Sequence, residues 1–238
     1  MDRLFKSQQQ SKGLIDFDQK SLAVSAASIA FNPIFWKCHR RSQWYLLPQN
    51  PQPSPPQPPT NHPPPSLPTE YRHKFMTKAF GGNSRLACYV LAGTIFSLGI
   101  FRDLLYERAL RHQPSHPLLD TPIATYLAYA LLAAGNTLVL SSMWALGITG
   151  TFLGDYFGIL MEDRVTSFPF NVTGAPMYYG STLSFLGTAL WFGKPAGFLL
   201  TLEVLAVYSV ALWFEDPFTG EIYAKRERER KKAGKKAR

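Results

Sequence analysis

Residues Thr121 to Gly154 form a run of 34 without a single Asp, Glu, Lys or Arg. A hydrocarbon core about 30 Å thick is crossed by roughly 20 mostly apolar residues in a helix. In lipid, backbone N–H and C=O groups must be satisfied within the segment, so a run of this length enters the membrane as a helix. The spacing predicts a span over about residues 125–148. That single stretch places the chain in a bilayer, and its chemistry has to be read in that solvent.

The mean hydropathy of −0.08 gives no hint of this. Polar ends and a proline-rich insert dilute several apolar blocks. Residues 20–37 are apolar but short and contain Pro33. They are expected to dip into the membrane without crossing, with the proline interrupting the helix. Leu86 to Phe101 is a run of 16 between Arg85 and Arg102. Both arginines are expected to snorkel to the interfaces, with Ala79 to Gly82 lengthening the span upstream. Val165 to Gly193 is again uncharged, but Pro169, Gly174, Pro176 and Gly180 break its first half. That half reads as a re-entrant or interfacial loop, followed by a helix over about 181–192. After Gly193 to Gly197, Phe198 to Phe214 continues as one tilted span or as the second arm of a hairpin.

The expected fold is all-α: a multi-pass transmembrane helix bundle with one additional shallow intramembrane helix. Five segments follow. Residues 1–19 are a polar tail and 20–40 the intramembrane helix. Residues 41–69 are a proline-rich insert expected to lack regular structure, 70–217 the membrane core, and 218–238 a basic tail. Between Pro48 and Pro68, eleven of 21 residues are proline, which favours extended polyproline II. The tail from Ala224 to Arg238 holds nine Lys or Arg against two Glu, so most of the formal net charge of +9 is local. Basic residues flanking spans stay cytoplasmic, which puts the C-terminus in the cytosol. Beside an apolar body, such a tail meets anionic lipid rather than nucleic acid. No signal peptide is visible, so insertion would use an internal span. Cys38 and Cys88 offer neither a disulfide framework nor zinc spacing. The five histidines pair with no cysteine at ligand spacing, so no metal site is expected.

Polar groups beside apolar runs are the functional candidates. Asp155, Tyr156, Glu162 and the Asn171–Gly180 loop form one group. Glu215-Asp216 at the end of the last apolar run form another, an acid pair that calls for a cation. Glu203, inside that run, reads as a polar contact between helices or as part of a site. Nucleophile elbows, zinc-protease motifs and phosphate-binding loops are absent.

At these residues the chain resembles a known family. LDTP (119–122), LVLSSMWALG (138–147), GTFLGDYFGILMEDRVTSFPFNVTGAPMYYGST (150–182) and FEDPFTGEIY (214–223) are similar to the phosphatidylethanolamine N-methyltransferase family of phospholipid methyltransferases. FNPIFW (31–36) and the LACY run from Leu86 resemble its N-terminal half. The resemblance implies a membrane enzyme of the endoplasmic reticulum, or of a mitochondrial membrane. It implies methyl transfer from S-adenosylmethionine to the amine of an ethanolamine phospholipid in the bilayer. Its short single-unit architecture is most like the members that act on the mono- and dimethylated lipids. The members that carry out all three methylations are the runner-up.

It also implies cofactor contacts at Ala133, Ala134 and Gly135, where the family has Gly-x-Gly, and at Glu215 and Asp216. Glu162, Asp155 or Tyr178 is expected to accept the amine proton. Tyr156, Tyr178 and Tyr179 are expected either to face the methylated ammonium or to anchor the interface. Lys37 to Thr69 has no counterpart in the family; an incorrectly joined coding sequence and a genuine loop both produce such an insert. Lys235 and Lys236 resemble a dilysine retrieval signal, and Asn171-Val172-Thr173 is a sequon expected to stay unmodified. The non-enzymatic alternative is a membrane adaptor presenting the proline-rich segment.

Overall fold

The computed structural model describes residues 13–38, 74–159, 161 and 165–213. The proline-rich insert and the basic tail lie outside them. Among the described residues six α-helices run in the order α1 (Lys20–Cys38), α2 (Phe75–Ala79), α3 (Ser84–His112), α4 (Pro122–Thr151), α5 (Pro176–Trp191) and α6 (Pro195–Trp213). No strand occurs among the described residues. By length and composition, α3, α4 and α6 can each cross a bilayer.

Local sequence sets the helix starts. Asn83 caps α3 by accepting from the Leu86 amide at 3.1 Å. Thr121 caps α4 by accepting from Ala124 at 3.3 Å, and Pro122 occupies the first turn, where its missing N–H costs nothing. Pro176 plays the same part for α5. That helix therefore begins five residues before the expected Ser181. The first half of the uncharged 165–193 run is loop only as far as Ala175, and a proline expected to break structure starts it instead. Likewise α1 is not interrupted at Pro33 but continues to Cys38. Its face of Leu22, Ser25 and Ile29 is buried and anchors it against the bundle.

Two further expectations are corrected. Ala79 to Gly82 do not lengthen α3; Gly81 and Gly82 adopt positive φ of 65° and 86° and turn the chain. The helix grows at its other end, past Arg102 to His112. The Gly193–Gly197 break makes a hairpin. Gly193 sits at φ 63°, and α5 and α6 then lie antiparallel. A Cβ at Gly197 would collide with that of Ala189, and the Tyr178 and Tyr208 rings meet at the far end, 5.0 Å apart.

The buried core joins α1 (Leu22, Ile29), α3 (Tyr106, Ala109, Leu110), α5 (Phe185) and α6 (Ala196, Leu200, Val204). One face of the bundle gathers the α3–α4 loop and the α5–α6 turn: the His116 amide donates to Gly193 O at 3.0 Å, and Lys194 Nζ to Gln113 O at 2.7 Å. Burial holds the Lys194 ammonium below its ordinary pKa. The opposite face carries the start of α3, the end of α4 and the described residues that follow it, 152–159. Exposed aromatics mark both levels, with Tyr126, Tyr129 and Trp191 on the turn side and Tyr89, Trp144 and Trp213 on the loop side. Tyr126 and Trp144 are separated along α4 by about 27 Å at 1.5 Å per residue, close to a hydrocarbon thickness.

The α4–α5 contact is made by small residues. A Cβ at Gly135 would lie 2.5 Å from Ser184 Oγ and 2.6 Å from Gly180 O. One at Gly180 would lie 2.7 Å from Gly135 O, and one at Gly187 3.0 Å from Ala128 O. Such absences let two backbones touch in lipid, where burial of apolar surface adds little. Gly180→Ala is expected to lower stability by about 1–3 kcal/mol. Gly93→Ala, on an open face of α3 with nothing within 4 Å, should be neutral or gain up to about 1 kcal/mol from helix propensity. Unfolding of both variants in mixed micelles checks this.

Candidate active site

Tyr178 lies half-buried in the first turn of α5, at the level where α5 meets the middle of α4. Its ring packs edge-on against Tyr208 of α6 at 5.0 Å and 73°. The Tyr208 hydroxyl accepts from Arg102 Nη1 of α3 at 2.6 Å. Arg102 is satisfied on two further sides. Its Nε and Nη2 donate to Asp103 Oδ1 at 3.0 and 2.8 Å, and its guanidinium lies 4.9 Å from the centre of the Phe185 ring. Tyr106 Oη donates to Phe185 O at 2.9 Å just beneath. A polar layer thus ties α3, α5 and α6 together inside the bundle.

Arg102 is therefore not the snorkelling anchor that its place after an apolar run suggests. Its side chain is only 13% exposed. It lies on the helix face turned toward α5 and α6, where Tyr208 and Asp103 supply what interfacial water would otherwise give. Arg85, at the other end of the run, is exposed.

The Ala133-Ala134-Gly135 triplet lies in the middle of α4. Ala133 and Ala134 are exposed, and Gly135 is buried against Gly180 and Ser184. The space that a missing side chain leaves at Gly135 is filled by α5. The flanking residues Leu132 and Asn136 line a cleft of about 790 Å³ between α3, α4 and α5. Asp103, Glu107, Ser184, Thr188 and Trp191 line it as well. The cleft puts two part-exposed carboxylates of α3 across from Leu132 and Asn136 of α4.

Of the expected proton acceptors, Tyr178 is placed inside the bundle. Asp155 falls, by its backbone, on the 3-10 turn Gly154–Phe157 after α4. Gly154 lets that turn fold back: a Cβ there would meet Thr149 O at 2.5 Å. Glu162, Glu215 and Asp216 lie outside the described residues. Glu203 is half-buried on α6 with no hydrogen-bond or ion-pair partner among the described residues. Asn171 is exposed. No cluster of metal-binding side chains occurs among the described residues.

Sequence reasoning missed Arg102, Tyr208, Asp103 and Glu107 as site-forming groups. The available signal was the spacing of Asp103, Glu107 and Arg111, three charged residues at intervals of four on one face of a helix that is otherwise apolar upstream.

The sequence pattern of the phospholipid methyltransferase family matches residues 123–226, from the first turn of α4 through α5 and α6 into the tail. The phosphatidyl-N-methylethanolamine N-methyltransferase of Neurospora crassa is 60% identical over 219 residues, covering 92% of this chain and 90% of its own length. The chain belongs to the phospholipid methyltransferase family. The Saccharomyces cerevisiae protein of the same name is 46% identical, with 91% of this chain and 92% of its own covered. Human phosphatidylethanolamine N-methyltransferase is 42% identical over 89% of this chain and 92% of its own length. No solved structure matches. The bundle is thus that of a membrane-embedded methyltransferase, which requires a methyl donor.

Its polar layer makes a direct prediction. Tyr208→Phe removes the acceptor facing buried Arg102 Nη1 and is expected to destabilise the methyltransferase by about 1–3 kcal/mol. Tyr208→Leu is expected to cost more, since the ring contact with Tyr178 is lost as well. Denaturant unfolding of the reconstituted protein measures both.

Proposed function

We propose that this methyltransferase carries methyl groups from S-adenosylmethionine to phosphatidyl-N-methylethanolamine and phosphatidyl-N,N-dimethylethanolamine, yielding phosphatidylcholine. The observation that carries this is the 60% identity, over nine-tenths of both chains, to a phosphatidyl-N-methylethanolamine N-methyltransferase. The endoplasmic reticulum membrane, with the C-terminal tail in the cytosol, is the setting that the basic tail and its dilysine favour.

When bound, the donor supplies an electrophilic sulfonium methyl. The described residues leave room for it along α4, where Ala133 and Ala134 present small exposed side chains. Gly135 is taken up by α5, so its part is to hold that helix. Glu215 and Asp216 are the acid pair proposed for the donor's polar groups. The lipid amine must be neutral to attack, so its proton passes to a base on this chain. Tyr178, Asp155 and Glu162 are proposed for that step. Helices α4 and α5 set the line between amine and methyl, and alignment of this kind accounts for much of the acceleration in a displacement reaction.

The test uses membranes containing the full chain, labelled S-adenosylmethionine and three acceptors: phosphatidylethanolamine and its mono- and dimethyl forms. Label is expected in the mono- and dimethyl acceptors and not in phosphatidylethanolamine. It is expected to disappear in the Glu215→Ala, Asp216→Ala double variant. Label in all three acceptors would replace the two-step reading with the three-step one. Label in none, with the protein inserted, would favour the adaptor reading.

A further inference from the structure

The cleft between α3, α4 and α5 has a chemical polarity of its own. Asp103 Oδ1 accepts both bonds from Arg102, and Glu107 Oε1 accepts both bonds from Arg111. Asp103 Oδ2 and Glu107 Oε2 have no partner among the described residues. Asn136 donates one Nδ2 hydrogen to Leu132 O at 2.8 Å, and its Oδ1 is left as an acceptor. Ser184 Oγ and Thr188 Oγ1 donate to carbonyls of their own helix at 3.1 and 2.8 Å, so only their lone pairs remain. The inner cleft therefore offers acceptors from three helices. Trp191 adds an exposed ring at its edge.

Position sharpens the match. Arg111 sits at the mouth, its guanidinium 5.6 Å from the Phe192 ring at the end of α5. Glu107 lies one helical turn deeper and Asp103 two turns deeper, at about 5.4 Å per turn. A simple interfacial ion pair accounts for Glu107 with Arg111. It does not account for an open carboxylate oxygen on Asp103, about 21 Å along α3 from the loop-side aromatic Tyr89. The charge order along α3 is a cation at the end of the helix, then anions one and two turns further along it. In an ethanolamine phospholipid the phosphate and the amine are joined by a two-carbon bridge, a separation of roughly one helical turn.

We propose that this cleft is the acceptor-lipid site, entered sideways from the bilayer. Asp103 and Glu107 receive the N-methylated ammonium, Trp191 packs against its methyl groups, and Arg111 meets the phosphate. The carboxylate-bearing, acceptor-rich lining suits an N–H donor cation, and the ring face suits a methylated one. The apolar wall of Ile100 and Leu104 is left for the acyl chains. The proposal rests on the methyltransferase reading above and adds which residues hold the acceptor. Leu132 and Asn136, which flank the α4 triplet in sequence, line this cleft.

The test reconstitutes the full chain in vesicles and titrates phosphatidyl-N-methylethanolamine as a mole fraction, then S-adenosylmethionine in turn. Two variants are compared with wild type. The Asp103→Asn, Glu107→Gln pair removes the charge. Leu104→Trp fills the cleft without altering charge, and Leu104 is exposed, so the bundle keeps its core. Each variant is expected to raise the acceptor KM about tenfold while the donor KM stays within about twofold. If the charge variant fails to insert, the filling variant alone decides. An unchanged acceptor KM would overturn the proposal, and so would a rise confined to the donor KM. Wild-type protein that methylates no lipid would instead sink the underlying methyltransferase reading.

Discussion

The backbone contact between Gly135 of α4 and Gly180 of α5 fixes the position of nearly everything else in the site. Helix α5 has only 16 residues and starts within the bundle rather than at its edge. In lipid it cannot be held by apolar burial alone, since the tails around it are as apolar as its own surface. Gly135, Gly180, Gly187 and Ala128 let the two helices meet at backbone distance, where dispersion and weak C–H contacts act over a long seam. With that seam in place, Ser184 and Thr188 face the cleft, and Tyr178 is set against Tyr208. Were α5 displaced by the width of a methyl group, the cleft would lose its floor.

The second constraint is the polar layer. A guanidinium inside a membrane-spanning bundle is tolerable only when its donors are met. Arg102 draws on its chain neighbour Asp103, on Tyr208 of α6 and on the Phe185 ring of α5. Three helices are thereby registered by one side chain. The arrangement leaves one oxygen of Asp103 for the cleft, so the group that organises the bundle also prepares the place where a cationic head group fits.

Much of this was legible in the residues. The uncharged run from Thr121 to Gly154 announced α4 because length and absence of charge suffice in a bilayer. The long string from Gly150 to Thr182 identified the family because thirty-odd consecutive positions leave little to chance. The Gly193–Gly197 break was visible, but not its sense; only the contacts of Gly197 with Ala189 and of Tyr178 with Tyr208 show a hairpin. Helix starts were misread where a proline can either stop or begin a helix, as at Pro176. Arg102 was misplaced because a charge at the end of an apolar run looks the same in sequence whether its face meets water or another helix. Gly135 carries the same ambiguity: a small residue opens space, and sequence does not tell whether a ligand or a helix fills it. Glu162, Glu215 and Asp216 lie outside the described residues, so their part in the site is still a proposal.

The most direct measurement is a double-mutant cycle of Gly135→Ala and Gly180→Ala, read as unfolding free energy in mixed micelles for all four proteins. If the two glycines share one contact, the first methyl already separates the helices and the second adds little. The account predicts a coupling of about 1 kcal/mol or more between them. Penalties that simply add, within about 0.5 kcal/mol, would show that the glycines act separately and that the α4–α5 seam does not organise the site.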